Sequence, residues 1–164
     1  PASSAMKTTL SLLILILSLF HSSFAQDNPP QDYIKKDFLI LYSGKDYSKA
    51  QQVAKQAATK LNLKLDLRGL KPHKETGLSD TRTSCEENFG FYPCYLTRGY
   101  YPDGAYLSIE HSDAFTEFRK GYFIVVAAAF EKGNSALKPL LQKAKSHFPD
   151  AYLKSSAVYT GCIH

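Results

Sequence analysis

The apolar positions of this chain fall into two strand–helix–strand units that repeat along it. In the second unit, Gly121-Tyr122-Phe123-Ile124-Val125-Val126-Ala127 reads as a buried strand, residues 135–148 as a helix and residues 151–159 as another strand. The first unit has the same order at residues 38–42, 48–61 and 63–67. The two helices superimpose at an offset of about 87 residues, which sets Ala50, Val53, Ala54, Ala57 and Leu61 on Leu137, Leu140, Leu141, Ala144 and Phe148. Both sets recur at i, i+3, i+4 and i+7, so each helix carries one apolar stripe. A repeated βαβ half predicts an α+β domain of the ferredoxin-like, RNP-type βαββαβ class: a four-stranded antiparallel sheet with two helices on one face.

Local signals refine these elements. Asp46 or Ser48 can cap the first helix, and Asn62 can end it. Lys64-Leu65-Asp66-Leu67-Arg68 alternates polar and apolar, as a half-buried strand does. Asn134 can cap the second helix, with Pro139 in its first turn, where a missing N–H costs least. Alternation puts Tyr122, Ile124 and Val126 on one sheet face and Phe123 and Val125 on the other. An insertion at about residues 71–120 separates the repeats. Its second part predicts a hairpin: Tyr95-Leu96-Thr97-Arg98, a turn at Pro102-Asp103-Gly104, then residues 105–110 as the return strand. Residues 112–118 predict a short helical turn.

The ends change the picture of where the protein works. Residues 1–5, ahead of Met6, read as a cloning scar. From Met6, a basic start at Lys7, an apolar run from Leu10 to Phe20 and the small-residue site Ser23-Phe24-Ala25 predict a cleavable signal peptide over residues 6–25. The apolar run is about half the roughly 20 residues that a membrane span needs. The expected mature protein therefore has no transmembrane segment and is periplasmic or secreted. Residues 26–36, with Pro29-Pro30, read as a flexible leader, and residues 37–164 as one domain.

Cleavage would leave 139 residues with 19 basic and 15 acidic side chains, enough for one core and only mildly basic. The lysines are scattered along the helices, mostly off the apolar stripes, and a nucleic-acid partner does not suit an exported protein. Cys85, Cys94 and Cys162 would meet an oxidising compartment. Cys85 and Cys94 are near enough in sequence to close a small loop, while Cys162 could pair with either. No CxxC or His pair has zinc-ligand spacing, and no cofactor motif is present.

Glu110-His111-Ser112-Asp113 is the most suggestive catalytic group. Neighbours on a strand face opposite ways, however, and neither a Gly-x-Ser-x-Gly elbow nor a His-Glu-x-x-His motif accompanies it. A non-catalytic role is the expectation. Phe89, Phe91, Tyr92, Tyr95, Tyr100, Tyr101 and Tyr106 crowd the insertion, with Arg98 among them. Such rings suit stacking on sugars or holding a protein partner, and an arginine suits a carboxylate.

Tyr122-Phe123-Ile124-Val125-Val126-Ala127-Ala128-Ala129-Phe130, followed by Asn134-Ser135-Ala136 opening a helix, resembles the opening of a SPOR domain. The likeness covers residues 121–159 and, more weakly, 38–69. The family's usual Gln and Gly in this strand are absent, and the Cys-containing insertion is not standard for it. The resemblance implies a βαββαβ fold that binds peptidoglycan glycan strands, or another cell-wall polysaccharide, on its open sheet face. Arg98, Tyr100, Tyr101, Tyr106 and Tyr122 are the candidate ligand-binding residues. The competing reading is a small secreted inhibitor or immunity-type protein that holds a protein partner through the insertion.

Overall fold

The computed structural model describes residues 32–161. The expected cloning scar and signal peptide, most of the expected leader and Cys162 lie outside the described residues. Along the chain run β1 (Tyr33–Gly44), α1 (Tyr47–Leu61), β2 (Lys71–His73), β3 (Gly77–Ser79), α2 (Arg82–Phe89), β4 (Gly104–His111), a single 3₁₀ turn (Ser112–Ala114), β5 (Phe123–Glu131), α3 (Leu137–Lys145) and β6 (Tyr152–Tyr159). Four strands form one sheet in the order β4-β5-β1-β6, every neighbouring pair antiparallel, and β2 and β3 form a separate hairpin. The protein is thus a mixed α+β domain. No helix among the described residues is long and apolar enough to cross a membrane.

The helix stripes do what their spacing predicts. Ala50, Ala54, Ala57 and Leu61 of α1 and Leu137 and Ala144 of α3 are buried against Leu39, Leu41, Leu107, Ile109 and Val125 of the sheet. Each large aliphatic side chain so buried stabilises the fold by roughly 1.5–3 kcal/mol. The Asp46 side chain caps α1 by accepting from the Ser48 and Lys49 amides at 2.8 and 3.3 Å. Asn62, in the left-handed region at φ 53°, ends it. Asn134 acts one turn ahead of α3: its side chain accepts from the Ala136 amide at 2.9 Å.

Three expectations give way. Residues 33–36, expected in the flexible leader, belong to β1 and pair with residues 156–159 of β6. Residues 63–67 do not form a sheet strand. They lie along the outer edge of β4, joined by one parallel bridge, with the Leu107 amide donating to Lys64 and the Asp66 amide donating to Leu107, both at 2.8 Å. Their leucines are half-buried, as alternation requires, but five residues at an edge are outcompeted by the longer β4, whose last five residues are buried. The expected hairpin also forms only its return limb. Residues 95–98 pair with nothing as a strand and instead pack over the sheet, so β4, read as part of the insertion, is a sheet strand.

The second face of the sheet is closed as well. Phe38, Ile40, Ile124, Val126, Ala129 and Val158 are all buried there, with Tyr122 packed against them. Phe115 and Phe118, stacked at 4.7 Å, cover this face and meet the Phe38 ring edge-on at 5.1 and 5.9 Å. Gly99 covers the neighbouring part. At φ +106°, with an added Cβ only 2.9 Å from the Val158 side chain, it brings backbone close where a larger residue would not fit. Lys36, buried on this face, bonds Asp103 at 2.5 Å, and Asp103 also accepts the Glu131 amide at 3.0 Å.

The same loop guards the edge strand. Glu117 accepts from the Ala157 amide of β6 at 3.0 Å and from the Ser156 hydroxyl at 2.5 Å. An occupied edge amide is unavailable to a strand from another chain. Burial raises the Glu117 pKa, but hydrogen bonds from Ser156, Thr116 and Ala157 outweigh it and hold the carboxyl below its ordinary 4.5. A folded pKa lowered in this way adds stability that is present above the unfolded value and is lost as pH falls through the folded one. Glu117→Gln should therefore flatten the acid limb of a stability-versus-pH curve while leaving the dependence of stability on denaturant concentration unchanged; an unchanged acid limb would refute the cap. Phe115→Ala should cost about 3–5 kcal/mol in urea unfolding, the usual loss for a fully buried phenylalanine.

Candidate functional site

The insertion carries most of the predicted residues and is held together from within. Cys85 and Cys94 form a disulfide, with Cα atoms 5.6 Å apart, that joins α2 to the segment leading into residues 95–98. Thr81 caps α2, its hydroxyl accepting from the Ser84 amide at 3.1 Å. Behind the bridge, the Ser79 hydroxyl donates to the Cys94 carbonyl at 3.1 Å.

Arg98 is not on a ligand-facing surface. Its residue is 1% exposed, among the most buried in the protein. The guanidinium donates to the carbonyls of Gly104 at 2.8 Å, Val126 at 3.0 Å and Tyr106, and lies 3.3 Å from the Ser108 hydroxyl. Its plane sits 3.6 Å over the Tyr106 ring. Its backbone amide donates to Glu110 at 3.1 Å, and Glu110, wholly buried, pairs with Arg68. Burial lowers the Arg98 pKa to about 10, with Tyr106 and Glu110 opposing the fall, so the group stays charged at neutral pH. At Arg68, burial pulls the pKa down, but the charge and hydrogen bond of Glu110 together with Tyr101 raise it overall. The residue type that suggested carboxylate recognition instead ties the insertion to the sheet.

Tyr101 shares one hollow with Tyr106 and an adjoining one with Tyr100. A hollow of about 440 Å³ beside β4 is lined by Lys64, Asp66, Arg68, Tyr101, Asp103 and Tyr106. A second, of about 350 Å³, is lined by Asp80, Ser84, Asn88, Phe89, Leu96, Tyr100 and Tyr101. A third, of about 550 Å³, has Phe89 and Leu96 in its wall along with Phe91, Pro93 and Tyr95. Tyr101 is common to the first two and Phe89 and Leu96 to the last two, so the three hollows adjoin as a row, the groove of the insertion. The Tyr100 and Tyr101 rings stand edge to face at 6.1 Å, and the Arg68 guanidinium lies 4.9 Å over Tyr101. Tyr122 is elsewhere: it lies on the closed sheet face, with Arg119 and Lys45 over its ring at 5.3 and 6.0 Å.

The Glu110–Asp113 group does not converge. Glu110 faces the Arg98 side of the sheet. His111 faces the other, its ring 5.1 Å from Phe123. Gly77, at φ +74°, lies flat on that imidazole, where an added Cβ would come within 2.0 Å. Ser112 accepts the Tyr122 amide at 2.9 Å and is buried. The Tyr95 hydroxyl donates to the His111 carbonyl at 3.1 Å; burial and then Glu110 push its pKa well up, so it stays a donor. Among the described residues, no cluster of His, Cys, Asp or Glu could hold a metal ion.

Sequence reasoning missed the Asp80, Ser84 and Asn88 wall of the groove. Ser84 and Asn88 are one turn apart on α2, a spacing that was readable, but nothing in the polar stretch before Glu87 marked it as helical. Arg98→Met should lose about 3–5 kcal/mol in urea unfolding, because it leaves buried carbonyls without their donor and removes a partnered buried charge. A loss under about 1 kcal/mol, the net worth of one ordinary hydrogen bond, would show that the guanidinium does not hold the insertion.

Set beside known proteins, the chain matches no family model, no curated protein and no solved structure, so its function is argued from this site.

Proposed function

We propose that this protein is an exported, non-catalytic binding domain for a cell-wall glycan, held in the groove of the insertion rather than on the sheet. In this reading the strand order β4-β5-β1-β6 is the ferredoxin-like, SPOR-like arrangement that the repeat and the resemblance imply. The observation that carries the ligand class is the row of adjoining hollows bearing Tyr100, Tyr101 and Tyr106 beside Asp66, Asp80, Ser84 and Asn88. Rings offer flat apolar faces to sugar C–H groups, and short polar side chains between them reach hydroxyls. A linear chain of sugars fits such a groove better than a compact ligand does. The closed second face argues against the sheet as the binding surface, and with it against Tyr122 as a contact.

A second reading, a secreted inhibitor or immunity-type protein that binds a protein cleft, draws on one feature. Phe91, within the disulfide-closed loop, is 60% exposed. Exposed aromatic side chains at the tip of a braced loop are typical interface anchors.

Co-sedimentation with purified peptidoglycan sacculi separates the two. The glycan reading expects binding that rises after amidase stripping and falls at least about tenfold in Tyr100→Ala/Tyr101→Ala, since each stacked ring contributes on the order of 1 kcal/mol or more. Absence of binding to native and stripped sacculi alike would overturn it and favour the protein partner.

A further inference from the structure

The 550 Å³ hollow at the disulfide end of the groove differs in chemistry from the rest. Its lining is largely apolar: Phe89, Phe91, Pro93, Tyr95 and Leu96. The charged residues in it are Glu75 and Asp113, both acidic, and no Lys, Arg or His lines it. This contrasts with a chain whose net charge is +5. Phe89 and Phe91 stand 6.0 Å apart and tilted by 55°, so they form two walls of an angle rather than a closed stack.

The exposed carboxylate at Asp113 is positioned, and among the described residues no lysine or arginine pairs with it. One oxygen accepts the Gly121 amide at 2.5 Å, which orients the group. The other lies 3.7 Å from His111 Nδ1, beyond hydrogen-bond reach, and that buried nitrogen has no partner. Burial lowers the His111 pKa, with Asp113 opposing, and so favours the neutral imidazole at neutral pH. Lys120 bonds the Asp113 and Phe115 carbonyls, at 3.0 and 2.8 Å, rather than the carboxylate. Glu75 is exposed on the β2–β3 turn.

We propose that this hollow binds an organic cation, an ammonium or trimethylammonium group carried on apolar carbons. An anion would meet two carboxylates and no base. A neutral apolar group would gain the rings but not the carboxylates. An organic cation gains both, since the negative faces of aromatic rings attract a positive charge as carboxylates do. The volume lies within the roughly 300–1,000 Å³ usual for small-molecule sites. The inference rests on this lining and not on the glycan reading, and either can fail alone.

The test is an NMR titration of the protein with choline, with cadaverine and with 3,3-dimethylbutan-1-ol, the neutral shape-mimic of choline. Choline, cadaverine or both should shift the amides of Glu75, Phe91, Tyr95 and Asp113, and the neutral mimic should bind about tenfold more weakly. Which of the two binds better distinguishes a quaternary from a primary ammonium source. Glu75→Gln, at an exposed position that folding does not need, should weaken the cation and leave the mimic unchanged; Asp113→Asn should do the same more strongly. Tyr100→Ala/Tyr101→Ala should leave cation binding intact. Equal affinity for the mimic, indifference to both acidic substitutions, or no shift at millimolar ligand would overturn the proposal.

Discussion

The buried guanidinium of Arg98 is the constraint on which the rest of the arrangement hangs. It gathers the carbonyls of Gly104 and Tyr106 at the start of β4 and of Val126 in β5, while its own amide holds Glu110. Glu110 in turn holds Arg68, whose other nitrogen donates to the Leu96 carbonyl at 2.6 Å. One charge cluster therefore joins the sheet, the insertion and the segment after α1. Taking two arginines and a carboxylate out of water is unfavourable, and only dense hydrogen bonding offsets it. The return is geometric: the path of residues 95–104 across the sheet is set by where those donors and acceptors can meet.

That path explains why the hollows lie along the insertion and not on the sheet. Once residues 97–103 cross one part of the sheet and Phe115 and Phe118 cover another, no sheet face is left for a ligand. The aromatic residues not used in this second core, among them Tyr100, Tyr101 and Phe91, are turned outward along the insertion. The disulfide at Cys85–Cys94 and the Thr81 cap brace the far wall, so the groove is built on α2 and β4 rather than on an unsupported loop. A site on such supports keeps its shape without a ligand, which reduces the ordering cost of binding.

The two ends of the groove have different characters because different neighbours compensate their charges. Near β4, Asp66 and Asp103 are answered by Lys64 and Lys36. Beneath the disulfide loop, the group next to Asp113 is a histidine whose burial favours its neutral form. The same acidic residue type is thus paired with lysine at one end and placed beside a histidine at the other.

Much of the scaffold was legible in the residues themselves. The stripes of α1 and α3 are local patterns, and burial of Ala50, Ala54, Ala57 and Leu137 follows from spacing alone. The caps at Asp46 and Asn62, the alternation along β5 and the short turn after His111 are likewise set by neighbours in sequence. What the sequence could not rank was competition between distant segments. Residues 63–67 and 105–110 both read as strands, and the longer one, able to bury more side chains, took the place beside β5. Arg98 and Tyr122 looked like contacts because arginine and tyrosine are amphipathic; whether such a side chain meets solvent or buried carbonyls depends on which backbone passes over it. Composition and periodicity determined the two helices, the main strands and an aromatic insertion. Tertiary packing decided which sheet face stayed open, namely neither, because closure depends on long-range hydrogen bonds that no local pattern records.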